Sequence, residues 1–598
     1  MNWGGLLLVM ILLSSLVPGL IIFALPEKSN RPRTFLNLGG AFLKLLLILV
    51  MIIGIYKGRH FAVRWQLLPG IELALNSDPL AALFSTLSTV LWLLTTLYAV
   101  GYLEQSPNRR QFFGYFSICV TVTVGIALAG NLITFLLFYE LLTLTTYPLV
   151  THRGTREALA AGRVYLAYTL SGGAVLLVAL AWLQVLAGPV DFGGQPVLAS
   201  VAATHELQLI VIFFMFIAGL GVKAALVPLH GWLPRAMVAP APVSALLHAV
   251  AVVKAGVFGI VRIVHDVYGI GFAAGLNLLL PLSILASVSI IYGSLCALRE
   301  DDLKKRLAYS TISQLSYIVL GVSVAGPLAA IGGLVHLVHQ GLMKITLFFC
   351  AGNLAETLGV HRISEMNGIA RRMPLTMAAF SVGALGMIGF PPMAGFVSKW
   401  YLGMGALATG KMWVVAILAV STVLNAAYFL PILIGAWFKP QECTWSEQVV
   451  AVRLETRWML LVPPLVTAFL VVTVGLLANA QHALGQDKPE VAAHGKEKIA
   501  EKSVFFLIRG QIITAEDAGH QPEQGGKKQK DLAGAVKPDQ AAHKKPGHLH
   551  CDGRRSVKRG QQGRQRGPGS HEEGQPPAGR DHQSQGNDQG KPRPQGEQ

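Results

Sequence analysis

From Trp3 to about residue 486 the chain is a succession of long apolar runs separated by short polar breaks; from residue 487 the pattern stops. A helix needs about 20 mostly apolar residues to cross a bilayer. Fourteen runs meet that length, near 3–25, 35–56, 79–102, 111–130, 131–151, 163–187, 207–228, 238–264, 273–297, 306–325, 327–355, 376–402, 412–437 and 457–480. They are too long and too continuously apolar for the alternating strands of a barrel. In lipid the remaining way to satisfy the backbone is the helix. The pattern therefore predicts an all-α polytopic membrane protein of about 14 transmembrane helices. The first run lacks a basic leader and a small-residue cleavage site, so it reads as a span and not a signal peptide.

Two runs carry helix breakers. Pro228 follows Lys223 inside span seven, and Gly389-Phe-Pro-Pro-Met-Ala-Gly395 interrupts span twelve. Proline removes a backbone donor and breaks or kinks a helix. Interrupted helices in corresponding halves point to a transport site. The two breaks lie five spans apart, and each has a lysine beside it, Lys223 and Lys399. An odd offset reverses topology, which fits two inverted five-helix repeats with broken helices 7 and 12. The expected division is residues 1–110 for helices 1–3, 111–264 for the first repeat, 265–437 for the second, 438–486 for helix 14 and 487–598 for a polar tail. Basic residues gather in the loops after odd-numbered spans, such as Arg109, Arg110, Lys304, Lys305, Arg371 and Arg372. By the positive-inside rule those loops are cytoplasmic and the N-terminus is outside.

Composition adds less than it first suggests. The net charge of +17 combines a membrane part of +12, its basic residues in short loops, and a tail of +5 that holds 20 of the 49 Lys and Arg. That distribution is no signal for nucleic acid. The five cysteines, Cys119, Cys296, Cys350, Cys443 and Cys551, are scattered and form no CxxC pair. No glycine-rich phosphate loop is present, so no nucleotide or other cofactor is expected. The tail has the composition of a disordered segment; we take part of it as an out-of-frame read or a fusion.

The informative residues are charges stranded in apolar runs: Glu140, Lys223, Lys254, Lys344 and Lys399. A charge at bilayer depth costs at least about 3 kcal/mol. Such residues mark ion or proton pathways by default. Burial favours the neutral form of a carboxylate and of an amine, whereas a nearby opposite charge favours both charged forms. A Glu140–Lys223 pair could thus hold or release a proton according to its separation; the alternative is a plain packing bridge. His248 and Lys254 are six residues apart in span eight, about 120° around a continuous helix, so they would link two files and not form one face. A histidine titrates near neutral pH and suits proton transfer; His248 could equally be a packing histidine. His336 and His339 share a face. With no carboxylate or cysteine near them, a relay is the better reading than a metal, and no metal is expected. Lys44 in span two reads as a snorkelling side chain or a subunit contact.

These residues lie in motifs. Pro228-Leu-His-Gly-Trp-Leu-Pro234 with Val238-Ala-Pro-Ala-Pro-Val-Ser-Ala-Leu-Leu-His248, Asp302 to Tyr317, His339 to Lys344, Gly389 to Lys399 and Asp78-Pro-Leu together resemble the antiporter-like membrane subunits. That superfamily includes Mrp-type cation/proton antiporters, respiratory complex I and membrane-bound hydrogenases. The resemblance covers residues 1–480. It implies fourteen helices, inverted repeats and a central row of charges. Glu140 would be the helix-five glutamate, Lys223 its helix-seven partner and Lys254 the helix-eight connector. His339 and Lys344 would form the helix-eleven relay and Lys399 the terminal residue. It also implies no redox centre of the chain's own, with partner membrane subunits doing any electron transfer. Where many members have an acidic residue and a histidine, this chain has Arg235 and Met237. The run from Pro234 to Phe258 resembles the D-type component of Mrp antiporters and its hydrogenase relatives. The expectation is a proton-translocating subunit, moving H⁺, with Na⁺ as a candidate second ion, through a Glu/Lys/His relay that includes His248 and His336. The alternative is the same role in an NADH–quinone oxidoreductase or a hydrogenase.

Overall fold

The computed structural model describes residues 3–104, 106–192, 198–441 and 454–486. The tail from residue 487, with Cys551, lies outside the described residues, as does Cys443. The chain is a bundle of helices: α1 Trp3–Ala24, α2 Asn30–Tyr56, α3 Pro79–Tyr102, α4 Arg109–Leu128, α5 Leu132–Val150 and α6 Arg156–Ala187. Then come α7 Leu198–Lys223, the short α8 Trp232–Arg235, α9 Ala241–Ala249, α10 Val252–Arg262 and α11 Ile270–Gly275. The rest are α12 Leu279–Arg299, α13 Leu303–Ser323, α14 Pro327–Leu358, α15 Pro374–Ile388, α16 Ala394–Ala408, α17 Met412–Phe438 and α18 Trp458–Gln486.

The starts of these helices are written in the loops. Asp78, Asn131, Thr155 and Asp302 each cap the next helix, accepting from the backbone N–H of Ala81, Thr134, Ala158 and Lys305 at 2.7, 2.8, 3.2 and 2.9 Å. Short polar side chains do this because they satisfy donors that have no partner inside the helix. Two caps come from distant loops: Glu27 accepts from the amides of Arg109 and Arg110 on α4, and Glu455 from those of Leu375 and Thr376 on α15.

Among the described residues twelve helices are long and apolar enough to cross a membrane, with α9, α10 and the π-helical turn Ile263–Tyr268 counted as one. The two further spans expected from sequence correspond to α13, whose first turn carries Lys304, Lys305 and Arg306, and to the interrupted pair α15 and α16. Burial separates the bundle into layers. An 18-residue apolar stretch of the span Ala241–Tyr268 is entirely buried and one of α14 is 94% buried, whereas the corresponding stretches of α1, α2 and α6 are buried over only 33–39%. The first two are therefore the axis, and the others present apolar faces to lipid or partners.

Three findings differ from expectation. Span eight is not one helix. It breaks at Val250 and Ala251, whose φ/ψ values of −125/−54 and −100/−94 leave the helical region. The angle drawn between His248 and Lys254 on a continuous helix therefore does not hold. Second, the fold is not purely helical: β1 Ala62–Leu68 and β2 Ile71–Asn76 pair antiparallel, from Ala62 opposite Asn76 to Leu68 opposite Ile71. Gly70 makes the turn at φ +80, a conformation that glycine adopts without penalty. Third, Lys44 neither snorkels nor faces a partner: it is fully buried inside the chain.

Candidate functional site: a polar row through the bundle

Both expected breaks are present. α7 ends at Lys223, and the chain turns through Ala225 at φ +56 before α8. A left-handed residue with a side chain costs roughly 1–2 kcal/mol, and such strain gathers at functional sites. α15 ends at Ile388, followed by Gly389 at φ +92, and α16 starts at Ala394.

At the first break Lys223 is fully buried. Its Nζ donates to the Tyr139 carbonyl, sits 3.4 Å from the Tyr139 ring centroid and lies 3.9 Å from Glu140 Oε1. The pair is a loose ion contact. Glu140 is packed over Gly173 of α6, where any β-carbon would strike its carboxylate. About a third of the Glu140 side chain is exposed, so the row begins at the periphery of the chain.

From Lys223 the row passes inward to α10. Gly256 is pressed against the Lys223–Ala224 backbone so closely that no β-carbon would fit. Two residues before it stands Lys254, buried and donating to the Leu337 carbonyl of α14 at 2.5 Å. Leu337 lies between His336 and His339. The His336 Nδ1 is 2.8 Å from Ser398 Oγ of α16, and its ring lies 5.3 Å from that of Tyr317. The next residue, Lys399, caps the end of α15 by donating to the carbonyls of Met387 and Ile388 at 3.0 and 2.8 Å. A helix C-terminus is the favourable place for a cation.

Lys344, further along α14, is joined to Lys399 by residues that sequence reasoning left out. It donates to Ser310 Oγ at 2.7 Å and the Leu307 carbonyl at 3.0 Å. Tyr428 Oη lies 2.9 Å from Ser310 Oγ and 2.5 Å from Asn425 Oδ1. Asn425 Nδ2 donates to the Met387 carbonyl at 3.4 Å, the same oxygen that Lys399 contacts. Ser310 falls inside the Asp302–Tyr317 motif, but Tyr428 and Asn425 lie in an apolar run of α17 with no motif around them.

The structure thus pairs Glu140 with Lys223 at the first break, sets Lys254 against α14 between His336 and His339, and links Lys344 to Lys399 through Ser310, Tyr428 and Asn425. His248 stacks on Phe348 of α14 at 4.5 Å, with neither ring nitrogen partnered among the described residues. Both polar atoms of Gln340 and of Gln314, and Nδ1 of His339, are also buried without a protein partner. Each such group costs about 1–3 kcal/mol if left dry. Polar sites of this kind hold structural water.

Another buried charge cluster was half missed. Arg262 of α10 pairs with Asp78 at 2.7 Å and Asp266 at 2.6 Å, between the rings of Phe192 and Phe258. It ties the end of α10 to the cap of α3. Every charge in it has its counterion, so it reads as a clamp and not a carrier.

Two helices broken beside lysines, with buried polar residues between them, form the kind of arrangement that membrane transport subunits use. Residues 129–425 match the family described as NADH:quinone oxidoreductase/Mrp antiporter, TM. The chain is 37% identical over 430 residues to the NADH-quinone oxidoreductase subunit N of Desulforudis audaxviator (strain MP104C), covering 70% of this chain and 84% of that one. It is 32% identical over 348 residues to a probable K(+)/H(+) antiporter A/B component of Rhizobium meliloti (strain 1021), covering 57% of this chain and 34% of that one. Its fold matches a chain in the structure of the Mrp complex from Dietzia sp. DQ12-45-1b. The TM-score is 0.70 at 23% identity, over 86% of this chain and 99% of that one. The chain belongs to the NADH:quinone oxidoreductase/Mrp antiporter membrane-subunit family, a multi-pass membrane protein whose relatives are subunits of multisubunit complexes.

Proposed function

We propose that the chain translocates protons as one membrane subunit of a multisubunit Mrp-type monovalent cation/proton antiporter. The observation that carries this is the placement of stranded charges at both breaks and between them, from the loose Glu140–Lys223 pair at the edge through Lys254 to Lys399 at the second break. A separation of 3.9 Å leaves the pair poised. Closing it favours both charges, and opening it favours transfer of a proton toward Lys254. Glu140 and Lys223 form the entry switch and Lys254 the connector. His336, His339 and Lys344 form the central relay with His248 beside them, and Lys399 is the far terminal. The R. meliloti relative supports the antiporter reading. Two sets of five spans, within α4 to α10 and α12 to α17, each with its fourth span broken, support the inverted repeats. The basic loops favour an outside N-terminus in a bacterial or archaeal plasma membrane, and a reporter fused at Met1 tests it.

A second reading is the same proton path driven by electron transfer in partner subunits. The 84% coverage of an NADH-quinone oxidoreductase subunit N favours it. Everted vesicles holding the full complex and a pH-sensitive dye distinguish the two. Collapse of a preformed gradient on adding Na⁺ or K⁺ is the antiporter result, and NADH-driven acidification without a cation response is the redox result. In either case Lys223→Met and Glu140→Gln should each lower transport by about 100-fold or more, the scale of a lost proton-transfer group, with the complex still assembled. Full transport in both variants would overturn the assignment.

A further inference from the structure

The central row leaves one buried lysine unused. Lys44 is the fifteenth residue of α2, about 21 Å from the Asn30 end at the rise of a helix. It is fully buried, yet no carboxylate pairs with it among the described residues. Its Nζ donates to Ser15 Oγ of α1 and faces the Trp92 ring of α3 at 5.3 Å. A lysine that only filled space would carry the cost of a buried amine with nothing to offset it. Between neutral partners it can take either protonation state.

Polar groups lead from it to one surface. Ser15 Oγ lies 2.7 Å from Thr121 Oγ1, which donates to the Ser117 carbonyl one turn away at 3.1 Å. Ser117 Oγ is 2.8 Å from Asn37 Oδ1, and Asn37 Nδ2 donates to the Arg33 carbonyl at 3.0 Å. Arg33 reaches Asn30 and the carbonyl of the half-exposed Glu27. Asn37, Ser117, Thr121 and Ser15 are all buried, at positions of α1, α2 and α4 that are otherwise flanked by apolar residues.

A second set leads inward. Trp92 Nε1, Thr89 Oγ1 and Ser88 Oγ, within about one turn of α3, are buried without protein partners. That helix packs on α14, where Leu87 fits against Gly341 and Tyr98 donates to the Phe349 carbonyl at 3.0 Å. Gly341 adjoins Gln340, both of whose polar atoms also lack a partner. Buried polar atoms without a protein partner are positions that ordered water can serve.

We propose that Lys44 is a proton-holding residue on a side branch that joins the Glu27 surface to the central row through α3. The inference rests on the proton-translocating reading above. A proton taken from water at the Glu27 end would pass along water ordered by Asn37, Ser117 and Thr121 to the Lys44 amine. It would leave along α3 toward Gln340, returning the amine to its neutral form. Carbonyls in the file accept but cannot relay, so water and hydroxyls do the carrying.

The test uses the full complex in everted vesicles, with the amount of complex measured by immunoblot. Lys44→Met keeps the length of the side chain and removes the amine; Thr121→Val keeps the shape and removes the hydroxyl. Each should slow transport by about tenfold at unchanged complex level, less than the loss of an essential proton-transfer group because the central row remains. The loss should deepen from about pH 6 to about pH 9, where proton supply limits a group of this kind. A packing role would give no pH-dependent loss. Wild-type rates across that range in Thr121→Val, or in an assembled Lys44→Met, would overturn the branch while leaving the main row standing. If instead Lys223→Met transports normally, the central reading falls and the branch with it.

Discussion

At the scale of single residues, the row is held mostly by lysines bonded to backbone carbonyls rather than to carboxylates. Lys254 meets Leu337, Lys344 meets Leu307, and Lys399 meets Met387 and Ile388. A carbonyl accepts from a charged or a neutral amine, so such a lysine can change state without leaving its place. A tight carboxylate would fix the charge instead, as Asp78 and Asp266 do for Arg262. The hydroxyl of Tyr428 links Ser310, beneath Lys344, to Asn425, beneath Lys399. Tyr428→Phe removes that atom and no packing volume. On the proposed reading, transport should fall by about tenfold, a modest share of a proton-transfer contribution. The melting temperature of the complex should move little, because one hydrogen bond contributes only about 1 kcal/mol. An unchanged rate would remove Tyr428 from the path.

At the scale of elements, what the sequence disclosed depended on how locally each feature is encoded. The two breaks at Lys223 and Gly389 were legible because proline and glycine act on their own turn. Glu140, Lys223, Lys254 and Lys399 were legible because a lone charge in an apolar run is too costly to be incidental. The break at Val250–Ala251 was not, since no proline or glycine marks it; beyond it the chain changes partners, α9 packing on α14 and α10 on α7. The hairpin did leave a trace, the alternation of Val63 and Trp65 before Pro69-Gly70, but it is short beside the spans around it. Lys44 was misread because its partners, Ser15 and Trp92, sit 29 and 48 residues away. Gly256 is an example of contact information that sequence cannot show: it sets how closely α10 meets the end of α7. Gly256→Val should force those elements apart and destabilise the subunit by about 1–3 kcal/mol, the usual cost of overpacking. Transport per assembled complex should fall further than stability does, because Lys223 moves with the backbone it touches. Thermal melts alongside vesicle assays check this, and an equal loss in both would reduce Gly256 to a packing residue.

At the scale of the whole molecule, the row reaches from a partly exposed glutamate to the second broken helix, through an axis that is otherwise buried. Such an arrangement works in series. On the proposed reading a proton entering at Glu140 passes Lys254 and the α14 histidines before it reaches Lys399, so a block at any of these stops the flow. The Lys44 branch joins this row at α14, downstream of Lys223, so it can feed the far half but cannot replace the switch. Removing the two ends together is the direct check. Glu140→Gln and Lys399→Met should each stop coupled transport, and the double variant should be no slower than the worse single one. Residues that act as a unit are strongly non-additive in this way, whereas independent sites more than about 10 Å apart add their effects. Rates that multiply in the double variant would mean that the two halves of the bundle carry ions separately, each break serving its own path.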